Sequence, residues 1–167
     1  MRIRAAARLL AVSVIATSVL GLGLAMPATA APDTTKIVLL QDDPTIVRVS
    51  DEAAGATGYE LTFEAPVRKP AGKRVGALSG AILTVDATLD GVTEEIRHRN
   101  LVFSLAGGQL VAQGVSRYPA ARAELAAGRP FVIAIVGGTG RYIGARGEVR
   151  TTQRADGSYR HVITLLR

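Results

Sequence analysis

Tyr59, Leu61, Phe63 and Ala65 fall on one side of a two-residue repeat, and Glu60, Thr62 and Glu64 on the other. That period belongs to a half-buried β-strand and to no helix. β-rich runs recur at 36–41, 74–89, 93–105, 109–117, 131–136, 142–152 and 158–166, with 45–50 a candidate for one more. Turn formers separate them: Asp42-Asp43-Pro44, Asp90-Gly91, Ala106-Gly107-Gly108 and Ala155-Asp156-Gly157. Only 119–127, with Pro119 at its first turn and Gly128 past its end, reads as a helix. Seven or eight strands with short turns and one short helix describe an all-β antiparallel barrel or sandwich. Gly76 and Gly80 sit where a strongly curved strand bends, which favours the barrel. No repeat of about 20–50 residues and no internal linker is visible, so one domain suffices.

Composition removes several function classes. Hydrophobic residues are 48% and charged residues 20%, which excludes a disordered chain. Cysteine is absent, so there is no disulfide framework, thiolate zinc site or cysteine nucleophile. His98 and His161 have no metal-pair spacing, and no Ser-His-Asp arrangement can be argued. No metal and no cofactor are expected. Arg2, Arg4 and Arg8 precede an apolar run ending in Ala28-Thr29-Ala30, the pattern of a signal peptide cut after Ala30. Residues 1–30 are thus an expected export signal and 31–167 the secreted domain, with no stable membrane insertion after cleavage. Since the signal holds three Arg and no acidic residue, the net charge drops from +6 to +3. The remaining basic residues are dispersed, without stacking aromatics between them, so nucleic acid is not expected as a partner.

The segment 131–140, an apolar strand running into Gly137-Gly138-Thr139-Gly140, superficially matches a dinucleotide-binding turn. Such a turn must open a helix, yet Gly144 and Gly147 interrupt residues 141–149 and no helical stripe is present there. Only 27 residues remain after Gly140, and no Walker lysine comes after the glycines. The same residues, continued through Tyr142 to Ala145-Arg146-Gly147, resemble the late signature of the dirigent and allene oxide cyclase superfamily. A first strand ending in Gln41-Asp42, where the dirigent pattern has His-Asp, is similar too. So are a Tyr-x-x-x-Phe strand (Tyr59, Phe63) and the long strand after Arg74-Val75-Gly76. The resemblance implies an eight-stranded antiparallel β-barrel, often trimeric, whose cavity takes a small hydrophobic or phenolic molecule. Such proteins steer cyclisation or coupling of a reactive intermediate without a cofactor. The allene oxide cyclase branch carries a glutamate in the first strand, where this chain has Val38-Leu39-Leu40.

The candidate residues read two ways. Asp42 is a turn former beside Pro44, or the cavity carboxylate that the resemblance implies. Arg146 locks a hairpin, or binds an anionic substrate group near Asp42. Tyr59, Phe63 and Tyr142 line a pocket or belong to the core. Gly137, Gly138, Thr139, Gly140, Gly144 and Gly147 are read as structural, shaping turns and barrel corners. His98, in a polar stretch, is expected at the surface. Three function classes stay open: a cofactor-independent isomerase or dirigent-like protein, a non-catalytic secreted binder, and a structural or protein-interaction module.

Overall fold

The computed structural model describes residues 33–54, 56–86, 94–119 and 125–167. The expected export signal, the Asp90-Gly91 turn and the body of the expected helix lie outside the described residues. At the ends of that helix, Pro119 closes a strand and residues 125–126 have no regular structure.

Nine strands succeed one another: β1 (Thr34–Gln41), β2 (Thr45–Arg48), β3 (Glu60–Arg68), β4 (Arg74–Asp86), β5 (Glu94–Leu105), β6 (Gly108–Pro119), β7 (Phe131–Gly138), β8 (Gly147–Gln153) and β9 (Tyr159–Leu166). Every neighbouring pair is antiparallel, in the order β1-β9-β8-β7-β6-β5-β4-β3-β2. A further β1–β3 pairing, Leu40 with Arg68 and Gln41 with Val67, closes eight of them into a barrel. Among the described residues the only helical piece is a 3-10 turn at Gly140–Tyr142.

β2 is the ninth strand and continues β1 along the same edge of β3. Three residues, Asp42, Asp43 and Pro44, separate Gln41 from Thr45, while only Ala65 and Pro66 separate their partners Val67 and Glu64. One extra residue therefore makes a β-bulge at a sequence that reads as a strand stop. Pro66 opposes this bulge, so its missing N–H removes no ladder bond there. β3 consequently runs on past Ala65, where the two-residue alternation read from the sequence stops, as far as Arg68.

The expected strand at 142–152 is shortened to β8. Its first residues form consecutive turns instead, with Tyr142 N–H donating to Thr139 C=O at 3.0 Å, Ile143 to Gly140 at 3.1 Å and Ala145 to Tyr142 at 3.0 Å. The Gly-Gly-Thr-Gly turn after β7 docks on the β5–β6 turn. Thr139 N–H donates to Gln109 C=O and Arg141 N–H to Gly107 C=O, both at 2.9 Å, and Gln109 N–H donates to Thr139 Oγ1 at 3.1 Å. Gly140 has φ +58°, and a Cβ there would lie 2.2 Å from the Gly107 carbonyl oxygen. Gly144 has φ +77° with open space around it. Gly140→Ala is therefore expected to cost about 2–4 kcal/mol, while Gly144→Ala meets only the left-handed backbone cost of about 1–2 kcal/mol. Urea unfolding of the two variants checks this; equal losses would mean the clasp contributes nothing.

Inside the barrel the lining changes character along the axis. Near the Gly-Gly-Thr-Gly end it is aliphatic and aromatic: Leu39, Val67, Phe103, Leu110, Ile135, Val149 and Ile163 are all buried. Towards the far end, where β5 begins and β6 ends, buried polar residues replace them: Glu95, Arg97, Arg99, Ser116, Thr151 and His161. Polar groups in a core this tight are costly unless bonded, so the asymmetry locates the site.

Candidate functional site

β5 supplies the charges. Along its inward face Glu95, Arg97 and Arg99 continue the side of the strand that carries Leu101 and Phe103, while His98 points to solvent, as expected. Arg97 donates from Nε at 2.9 Å and Nη2 at 2.5 Å to Glu95 Oε2, with both side chains essentially inaccessible to solvent. Its guanidinium lies between two aromatic faces, 4.4 Å from the Tyr118 ring centroid and 5.8 Å from that of Tyr59. Arg99 stacks 4.1 Å from the Phe131 ring centroid and 5.5 Å from that of Tyr118. Cation–π contacts of this kind stabilise desolvated guanidinium faces but leave their edges unsatisfied. Arg97 Nη1, Arg99 Nε and Arg99 Nη1 have no hydrogen-bond partner, nor do the hydroxyls of Thr84 and Ser116. Burial lowers the Arg99 pKa from its ordinary value; the Tyr118 and Tyr159 hydroxyls oppose this and Arg97 adds to it. A guanidinium nevertheless stays charged at neutral pH.

β1, β8 and β9 supply a bonded triad. Gln41 Oε1 can only accept, so His161 Nε2–H donates to it, at 2.9 Å. The neutral ring then accepts at Nδ1 from the Thr151 hydroxyl at 2.8 Å. Phe103 meets the His161 ring edge-on, with centroids 5.3 Å apart. Burial, with Arg99 as a smaller repulsive neighbour, lowers the His161 pKa to about 3. Between pH 6.5 and about 3 the unfolded chain takes up a proton here that the folded barrel refuses. Stability from this residue is thus present at neutral pH and falls as pH falls, by up to about 1.4 kcal/mol per unit. Denaturant midpoints between pH 7 and pH 4 should show that slope in the wild type and a flatter one in His161→Gln. Identical slopes would remove His161 as the cause.

Arg99, Tyr118, Gln41, Thr151 and His161 border a void of about 20 Å³, also lined by Pro44, Ile46, Phe63 and Leu101; Arg97 and Glu95 lie outside its lining. The void holds about one water and no organic ligand, so the interior must open for anything larger. Among the described residues no group of three or more His, Asp or Glu is placed to hold a metal, and no helix is long and apolar enough to cross a membrane.

The residues singled out from sequence are scattered around this centre. Phe63 lines the void, and Tyr59 is buried beneath Arg97. Tyr142 is buried at the Gly-Gly-Thr-Gly turn, away from the polar half. Asp42 lies at the β1–β2 bulge, outside the void lining, and accepts from Arg68 Nε at 3.0 Å and Nη2 at 2.7 Å with half its side chain exposed. Arg146 bonds the carbonyls of Val136 at 2.6 Å and Ala145 at 2.9 Å, and its own carbonyl accepts from Leu166. Leu166 pairs with the start of β1 and Asp42 comes just after its end, so Asp42 and Arg146 sit at opposite ends of the β1–β9 ladder. The expectation that these two share a site is corrected: eight residues of strand separate them. Gly137 and Gly138 end β7 and Gly147 opens β8.

The sequence matches no protein-family model and no curated protein. Solved structures do match in fold. A pyocyanin demethylase aligns over 78% of this chain and 99% of its own, with TM-score 0.64 and 23% identity. A pterocarpan synthase dirigent protein aligns over 83% of this chain and 87% of its own, with TM-score 0.55 and 17% identity. The Diels-Alderase AbmU from Streptomyces koyangensis gives TM-score 0.61 and 16% identity over 78% of this chain, which spans 63% of that protein's length. In fold, therefore, the chain is a closed eight-stranded barrel of the kind shared by dirigent proteins and cyclases.

Proposed function

We propose that this chain is an exported barrel that binds a small hydrophobic or phenolic molecule within its polar half and steers cyclisation or coupling without a cofactor. The carrying observation is the pair of buried, unpartnered Arg99 N–H groups, at Nε and Nη1, on a side chain that lines a void otherwise walled largely by aliphatic and aromatic side chains. Buried donors of that strength are rare without a partner, and a ligand oxygen is the partner that restores their bonds. The fold neighbours support the reading, since their names attach demethylation, pterocarpan synthesis and Diels-Alder chemistry to such barrels. Steering needs little from the protein beyond a confined conformer and charge stabilisation. Arg99 provides the charge, facing negative character that develops on a substrate oxygen. A non-catalytic binder is the second reading, and one observation favours it. His161, with its pKa near 3 and both ring nitrogens bonded, offers no proton at neutral pH.

Native mass spectrometry of protein purified from culture medium, against a library of small aromatic and polyene compounds, tests the proposal. The expected result is a ligand that wild type and Arg150→Met retain and Arg99→Met loses. Arg150 is exposed on β8 and serves as the charge control. Absence of any ligand in wild type, or equal retention by Arg99→Met, overturns the site. Export and trimer formation belong to the same proposal. N-terminal sequencing should find Ala31 first, and sedimentation should give three times the monomer mass.

A further inference from the structure

The barrel wall is not equally closed all round. β6 pairs with β5 along its whole length, from Gly108 to Pro119, and β7 pairs with β8 from Phe131 onward. Between them, however, the β6–β7 register covers only Leu110 to Gln113 and is shifted between Val111 and Ala112. Beyond Gln113 the ladder ends, and residues 114–119 of β6 have no β7 partner. Gly114 accommodates the Ile133 side chain, since a Cβ there would sit 2.6 Å from Ile133 Cγ2. The seam holds a cleft of about 340 Å³, reached by Ile96, Val115, Leu125 and Phe131, with Arg117 also on its wall and Arg129 there ion-paired to Glu94. This is within the volume range of small-molecule sites, which the interior void alone is not. The Phe131 ring separates the two spaces, lining the cleft on one side and stacking on Arg99 on the other. The unpartnered Ser116 hydroxyl also lines the cleft.

We infer that this seam is where the ligand enters and sits, and that the ligand is a planar aromatic acid. Phe131 turns aside, the anionic group accepts edge-on from the Arg99 N–H groups that now lack partners, and the ring lies along the cleft against Ile96, Val115 and Leu125. The chemistry comes from the wall: the apolar side chains along one part of the cleft suit a flat hydrocarbon body, and the buried Arg99 behind the Phe131 ring selects a negative end. Among the described residues the buried interior carries two guanidiniums and one carboxylate, so a monoanion neutralises it. The inference rests on the small-molecule reading above and specifies its substrate class and route.

The test uses 2-naphthoate and its uncharged isostere 2-naphthamide as probes. The acid should bind wild type at least about tenfold more tightly than the amide, the loss expected for one charge-assisted bond. Arg99→Met should abolish the preference. Because the chain has no cysteine, Val115→Cys provides a single thiol on the cleft lip, where Val115 is 48% exposed. Labelling folded Val115→Cys with a bulky maleimide should slow or block 2-naphthoate binding, whereas the same label at Ile143→Cys, near the Gly-Gly-Thr-Gly end and 80% exposed, should not. Circular dichroism before and after labelling confirms that both remain folded. Equal binding of acid and amide, or none of either, overturns the substrate class. Unchanged binding after labelling at position 115 overturns the route. The broader reading survives those results if the library screen yields a neutral ligand, and falls with them if it yields none.

Discussion

Glu95→Gln should lower the stability of the barrel by about 3–5 kcal/mol, the usual cost of stranding one member of a buried ion pair. Glu95 and Arg97 lie two residues apart on one face of β5, so their pairing needs no long-range fit beyond the strand itself. Glutamine keeps the shape and a hydrogen-bond acceptor but removes the charge. Arg97 and Arg99 would then be buried together without that carboxylate, and each raises the cost of the other. Guanidinium chloride is unsuitable for the measurement because it screens charge; urea unfolding at neutral pH is the appropriate one. A loss below about 1 kcal/mol would place the pair in the class of solvent-screened surface bridges and contradict its burial.

The opposite outcome is expected at Arg99. Arg99→Met removes a buried cation whose Nε and Nη1 make no hydrogen bond, and replaces it with an unbranched side chain that fills the same channel. Stability should stay level or rise by about 1–4 kcal/mol, as when buried charges give way to apolar residues of similar volume. Ligand binding should fall at least about tenfold in the same protein. Gain of stability with loss of binding marks a residue kept for function. Loss of both would mean that Arg99 holds the wall together through Phe131 and Tyr118. The two variants also test one another. In the Glu95→Gln, Arg99→Met double variant the losses should not add, because removing the second cation relieves the first.

The strands are readable in the sequence because β-structure has a local period of two. Tyr59, Leu61, Phe63 and Ala65 are buried as their alternation requires. The turn signals are equally local, and the bulge at Asp42-Asp43-Pro44 falls where the turn formers stand. The polar half of the interior is legible only if parity is trusted over charge. Leu101 and Phe103 are clear core positions, and counting back by twos reaches Arg99, Arg97 and Glu95. Their charge suggests a solvated face, yet parity places them inside, because β5 pairs with β6 without a register shift from Glu94 to Leu105 and the alternation is therefore unbroken. His161 is reachable in the same way from Ile163.

Most strands, their alternation and most turns are legible locally, because each depends on neighbours within a few residues. Which strands meet and which ends coincide is set only when the barrel closes. Asp42 and Arg146 are a case in point: each sits beside a turn, and only the β1–β9 register shows that they lie at opposite ends of one ladder. The early end of the β6–β7 ladder is another, since both strands are paired along that stretch on their other sides. The physical reason is common to both. Pairing partners and the bonds left unmade depend on how the sheet closes around its own circumference, and no local period carries that information.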